Sequence, residues 1–221
     1  MDFVKQASLQ DPAVYLAGAI TRNLLAGKKI LWFLSGGSSI NIAVATRKLL
    51  SADMLSGLTV TLGDERYGPE GHKDSNWQQL KLAGFDFRGL KLLPVLSGTP
   101  IKATTEKFAK ILNQELAANQ LKIGLLGIGA DGHTAGILPG SPALDSLGLA
   151  ASYQAPDFQR ITITPRLIKV MDEAVVSLSG NEKRRLIDKL GSNEPASSMP
   201  AQLLKLVPKC VIFNGWIGGK A

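Results

Sequence analysis

"KILWFLSGGSSINIAVATRKLL", Lys29–Leu50, decides the fold class. After Lys29 the run is apolar without alternation, as in a strand buried on both faces. Ser35-Gly36-Gly37-Ser38-Ser39 interrupts it, and Asn41–Leu50 then follows a helical period. A doubly buried strand that turns through glycine into a helix is the repeating half of a parallel α/β unit. The same alternation extends in both directions. Further strands are expected at Leu58–Leu62, Lys91–Val95, Ile123–Ile128, Arg160–Thr164, Ala174–Ser179 and Lys209–Phe213, with the first at Lys29–Leu34. Helices are expected at Ala13–Ala26, Asn41–Leu50, Ser75–Leu82, Ile101–Ala118, Pro165–Val170, Glu182–Leu190 and Ala201–Leu206. Asp11-Pro12 reads as an N-cap with proline at the first helical position. There is no internal repeat, and Gly191–Ala201 reads as a loop. The expectation is one α/β domain, 1–221, with a mostly parallel sheet flanked by helices.

Composition narrows the function classes. The 221 residues are 45% hydrophobic and 19% charged, as in a globular protein with a full core. No apolar stretch reaches the roughly 20 residues of a membrane span. Residues 1–12 lack a basic region followed by an apolar core, so no secretory signal is expected. The single Cys210 sits in "KCVIF" and reads as a buried, inert thiol. A cytoplasmic protein without a membrane partner fits these features. The net charge of +7 favours anionic ligands. The cations are dispersed, and only Lys183-Arg184-Arg185 forms a run, without interleaved aromatics. No nucleic-acid partner is expected. The oligomeric state is open, with a monomer favoured.

In parallel α/β sheets, ligands bind where strands end and helices begin. Four such junctions carry polar residues. In "FLSGGSSI", Ser35, Gly36, Gly37, Ser38 and Ser39 offer hydroxyls and a helix N-terminus to an anion. The alternative is a tight turn with serine caps. In "LGDERYGPEGHKDSNWQQL", Asp64, Glu65 and Arg66 follow a buried strand directly. Charges there need a cleft, or else form a salt bridge on an exposed loop. Ser75 or Asn76 caps the next helix. In "LLGIGADGHTAGILPGS", Asp131 and His133 lie in a glycine-rich bend after a strand. His133 suits a general base at neutral pH, while Asp131 could instead shape the turn and His133 be structural. In "RITITP" and "SGNEKRRL", Arg160 opens a strand and Lys183 begins a helix. A cation opposing the helix dipole makes sense beside a bound anion, or as a solvated side chain. With two histidines, one cysteine and no ligand spacing, no metal site is expected. No serine sits in a nucleophile elbow.

Together, "SGGSS", "DERYGPEGHKDSN", "GIGADGHTAGILPGS", "RITIT" and "GNEK" resemble, in order, the motifs of the 6-phosphogluconolactonase family. That family lies within the glucosamine-6-phosphate isomerase/deaminase superfamily. The resemblance spans Leu31 to Lys183. Departures are Ser39-Ile40 for Thr-Pro, Gly68 for Val and Leu138 for Phe, and the C-terminal tail keeps little of the usual ending. The resemblance implies a modified Rossmann-like sheet, no cofactor, and hydrolysis of 6-phosphoglucono-δ-lactone to 6-phosphogluconate in the oxidative pentose phosphate pathway. His133 would be the general base, and Asp131 and Asp64 would orient it or the water. The loop Ser35–Ser39 with Arg66, Arg160 and Lys183 would meet the substrate's anionic end. Two rivals remain. An isomerase/deaminase usually has a glutamate where Leu138 stands. A sugar-phosphate-sensing regulator usually carries a DNA-binding module ahead of the first strand.

Overall fold

Along the chain run β1 (Asp2–Lys5), α1 (Gln10–Leu25), β2 (Ile30–Leu34), α2 (Ser39–Leu49), β3 (Leu58–Leu62), β4 (Asp64–Arg66) and α3 (Asn76–Leu82). There follow β5 (Lys91–Leu92), α4 (Ile101–Ala118), β6 (Leu121–Leu126), β7 (Ala150–Gln154), β8 (Gln159–Ile163) and α5 (Pro165–Ile168). The last elements are β9 (Glu173–Leu178), α6 (Arg184–Gly191), β10 (Lys209–Asn214) and β11 (Gly219–Lys220). This computed structural model describes residues 1–8, 10–217 and 219–220.

The main sheet has the order β11-β1-β10-β9-β6-β2-β3-β5. All neighbours are parallel except β11, which closes one rim antiparallel to β1. Every residue of β2, β3 and β9 is buried, and β2, Ile-Leu-Trp-Phe-Leu, is accordingly an unbroken apolar run. Trp32 and Phe33 on β2 have no exposed surface, and α1 and α2 pack against each other and against β2. The chain leaves β2 for β3 and β5 on one side, then returns through β6 on the other. The order therefore reverses between β2 and β6.

A second sheet, β4-β8-β7, is antiparallel. It corrects one expectation, since Arg160–Thr164 does not join the main sheet. That segment is β8, and it pairs with β4 so that Arg66 faces Arg160 and Asp64 faces Thr162. Neither β4 nor β7 is signalled in the sequence, because "DER" and "AASYQ" are too short and polar for an apolar run. The expected strand Lys91–Val95 stops at Leu92. Pro94 follows, and proline has no N–H for the ladder. Ala201–Leu206 is a 3₁₀ turn, Pro200–Leu206, rather than an α-helix. Asp11 lies inside the first turn of α1 instead of capping it. Its carboxylate accepts from the N–H groups of Ala7 and Ser8, and Ser8 Oγ accepts from the Gln10 N–H. Ser75 caps α3 as expected, accepting from the Gln78 N–H at 3.2 Å.

Candidate active site

The strand order reverses where β2 ends at Leu34 and β6 ends at Leu126, and a cleft of about 320 Å³ opens there. Ser35, Gly36, Gly37, Ser38, Asp64, Arg66, His133, Arg160 and Lys183 all line it. Residues from all four polar junctions thus converge on one opening. Two expected residues do not line it. Ser39 is the first residue of α2 and is buried, its Oγ lying 3.6 Å from where a Cβ on Gly127 would sit. Asp131 reaches the cleft only through His133.

The bend after β6 is built to present that histidine. The Gly129 N–H donates to His133 O at 3.0 Å, and the Thr134 hydroxyl donates to Gly127 O at 2.8 Å. His133 Nδ1 lies 2.7 Å from Asp131 Oδ1, which also accepts from the His133 N–H at 3.2 Å. Facing a carboxylate, Nδ1 carries the proton and Nε2 keeps its lone pair. Partial burial works against the Asp131 carboxylate, but its interactions with His133 outweigh it and hold its pKa below the ordinary value. The glycines here make room for side chains. A Cβ on Gly129 would come within 2.2 Å of the imidazole, and one on Gly136 within 2.4 Å of Asp64 Cβ. Gly136 also has φ +71°, in the left-handed region.

The charged side of the cleft comes from β4 and β8. Residues alternate along β4, so Asp64 and Arg66 face the cleft while Glu65 turns away. The buried Arg160 bridges Asp64 Oδ2 at 3.3 Å and Asp157 Oδ2 at 2.7 Å. Partial burial works to raise the Asp157 carboxyl, but the Arg160 charge and hydrogen bond outweigh it and hold it low. Arg66 donates to Asp74 O at 3.0 Å, and its guanidinium lies 5.2 Å from the Phe158 ring centre. Lys183 closes a 3₁₀ turn, Asn181–Lys183, at the start of α6. Ser38 precedes α2 without a side-chain cap bond, so its hydroxyl is not spent on the helix. Among the described residues, no group of three or more His, Cys, Asp or Glu is placed to hold a metal ion.

A family model described as glucosamine-6-phosphate isomerases/6-phosphogluconolactonase matches residues 5–212, a span that contains the whole cleft. The chain belongs to the glucosamine-6-phosphate isomerase/6-phosphogluconolactonase family. Among curated family members, the 6-phosphogluconolactonase of Pseudomonas aeruginosa is 29% identical, over 89% of this chain and 86% of that protein. The human 6-phosphogluconolactonase is 25% identical, over 90% of this chain and 80% of its own length. The fold is shared with the crystal structure of a 6-phosphogluconolactonase from Shewanella baltica, at TM-score 0.83 and 21% identity over 97% of each chain. The Thermotoga maritima 6-phosphogluconolactonase structure gives 0.82 at 20% identity, over 96% of this chain and 97% of that one.

Two cleft residues of this family member escaped the reading of the sequence. Asp157 lies in an unmarked turn, "APDF", and its only signal is Arg160 three residues on. Asn76 was legible as a helix cap, yet its side chain lines the cleft and donates from Nδ2 to Asp64 O at 2.9 Å.

Proposed function

We propose that this chain hydrolyses 6-phosphoglucono-δ-lactone to 6-phosphogluconate, the second step of the oxidative pentose phosphate pathway, with His133 as general base. The observation that carries the reading is an Asp131-oriented imidazole sharing one cleft with Lys183, Arg66 and the Ser35–Ser38 loop. Water attacks the lactone carbonyl carbon while His133 Nε2 takes its proton. The C1–O5 ester bond of the tetrahedral intermediate then breaks, and the imidazolium returns the proton to the ring oxygen. Asp131 stabilises the imidazolium, as the orienting carboxylate does in a catalytic triad. Lys183, Arg66 and the serine loop receive the phosphate. Arg160 has each Nη bonded to a carboxylate, so it fixes Asp64 and Asp157, and its Nε–H is without a partner among the described residues. The chain acts as a single domain, 1–221, in the cytoplasm and without cofactor.

The test is release of acid from 6-phosphoglucono-δ-lactone by the purified chain, with spontaneous hydrolysis subtracted. A rate no greater than background removes the reading. Glucosamine-6-phosphate should yield no ammonia, because Leu138 stands where the isomerase/deaminases usually carry a carboxylate. Ammonia release would transfer the chain to that branch. Sequence-specific DNA binding that responds to sugar phosphate would favour the regulator instead.

A further inference from the structure

Six buried side-chain polar atoms lack a hydrogen-bond partner among the described residues, and four belong to residues that line the cleft. Those four are Ser35 Oγ, Arg66 Nε, Arg160 Nε and Asn76 Oδ1. Buried polar groups of folded proteins are nearly always satisfied, so such a cluster marks where a ligand or ordered water completes the bonding. The two Nε–H groups are donors suited to an anion, and a hydroxyl can serve either way. Asn76 Oδ1 differs, because an amide oxygen only accepts. It cannot bind phosphate or carboxylate. It needs an O–H or N–H.

The amide orientation is settled by its surroundings. The Asp64 carbonyl can only accept, so the group 2.9 Å from it is the NH₂ and the oxygen points the other way. The Asn76 N–H donates to Glu65 Oε1 at 2.6 Å, which pins the backbone as well. Asn76 is 1% exposed, and Oδ1 presses against Gly36, where a Cβ would lie 2.0 Å away. Any larger residue at position 36 would evict that oxygen. Strand β4 thus holds Asn76 at two points and leaves one acceptor without a partner beside Gly36, in the wall of the cleft.

We propose that Asn76 is a specificity-determining residue whose Oδ1 accepts from one secondary hydroxyl of the sugar ring. This rests on the lactonase reading above, and it assigns the contact that selects a polyhydroxylated lactone over a deoxygenated one. The phosphate anchors one end of the ligand, and this acceptor fixes the rotation of the ring about that anchor.

The test is a cycle of enzyme and substrate changes. Hydrolysis of 6-phosphoglucono-δ-lactone is compared with that of its 2-, 3- and 4-deoxy counterparts, using wild type, Asn76→Ala and Gly36→Ala. With wild type, one deoxy lactone should lose about 10–100-fold in kcat/KM, the cost of stranding a buried acceptor. Asn76→Ala should lose a similar factor on the parent lactone and nothing further on that deoxy lactone. Gly36→Ala, whose Cβ would displace the Asn76 amide while leaving its chemistry intact, should repeat the pattern. Losses that multiply independently for all three deoxy lactones would overturn the assignment, and would mean that Asn76 shapes the cleft or holds water. Calorimetric binding of 6-phosphogluconate and the matching deoxy acids repeats the cycle without turnover. Coupled binding in a chain that hydrolyses no lactone would keep the Asn76 contact and remove the catalytic reading. Uncoupled binding in an active chain would do the reverse.

Discussion

His133 and Lys183 carry the sharpest expectations at the residue scale. His133→Ala should lower kcat by about 10²–10⁴-fold, the range for a lost general base. His72→Ala should cost far less, because that ring is occupied in a 2.9 Å hydrogen bond to the Arg66 carbonyl. Wild-type turnover in His133→Ala, with loss in His72→Ala, would reverse the assignment. The rate should also fall in acid, since a protonated imidazole cannot take water's proton. A flat profile between about pH 5 and pH 8 would count against a histidine base. For Lys183→Ala, a charged hydrogen bond of about 1.5–3 kcal/mol translates to a loss of about 10–150-fold in kcat/KM. Hydrolysis of unphosphorylated glucono-δ-lactone should hardly change, and an equal loss on both substrates would make Lys183 structural. Both residues were legible from their setting, His133 directly after Gly132 in a glycine-rich bend that follows a strand and Lys183 three residues after Gly180 at the start of a helical segment. Asp157 was not, since what places it in the cleft is Arg160, and Arg160 is there only because β8 pairs with β4.

Between elements, buried charges do the joining. Glu65 accepts from Ser75 Oγ at 2.8 Å and from the N–H groups of Asn76 at 2.6 Å, Trp77 at 3.2 Å and Arg66 at 2.8 Å. Burial pushes its carboxyl pKa up although all four donors pull it down. Glu65→Ala would strand those donors and should destabilise the chain by about 2–4 kcal/mol in urea unfolding. A change below about 0.5 kcal/mol, the size of an ordinary surface substitution, would show that α3 docks without it. Arg47 of α2 is tied to Asp86 Oδ2 at 3.0 Å and to the carbonyl oxygens of Asp86 and Arg88. The Arg88 side chain and N–H, with the Arg47 charge, lower the Asp86 carboxyl from 3.8 to about 2. A depressed carboxylate adds stability above its ordinary value and loses it as pH falls through the folded one. The stability gap between wild type and Asp86→Asn should therefore be constant above about pH 5 and shrink from about pH 4 toward pH 2. A gap that stays constant across that window would exclude an ionic role for Asp86. Sequence patterning located the elements that are buried on both faces, such as β2, β3 and β9, because their composition follows from that burial. It missed β1, β4 and β7, whose pairing is decided by distant partners, and it merged two sheets into one because "RITIT" is apolar in either setting.

For the whole molecule, 25 basic against 18 acidic residues give a field that draws anions in. With the phosphorylated lactone, kcat/KM should fall as ionic strength rises through the range where the screening length drops to about 10 Å. The same series with the neutral lactone should stay level. Parallel curves for both substrates would remove steering from the account. The main sheet ends on both rims in two-residue strands, β5 and β11, the latter running against its neighbour. Lys91 on β5 is held in a 2.7 Å ion pair with Glu115 of α4. A long, flat rim would offer another chain a row of free N–H and C=O groups to copy. Here the template is two residues long on either side, one carrying a lysine and the other of reversed polarity. The sheet can thus be almost wholly apolar within and still give amyloid-like stacking nowhere to begin at its edges.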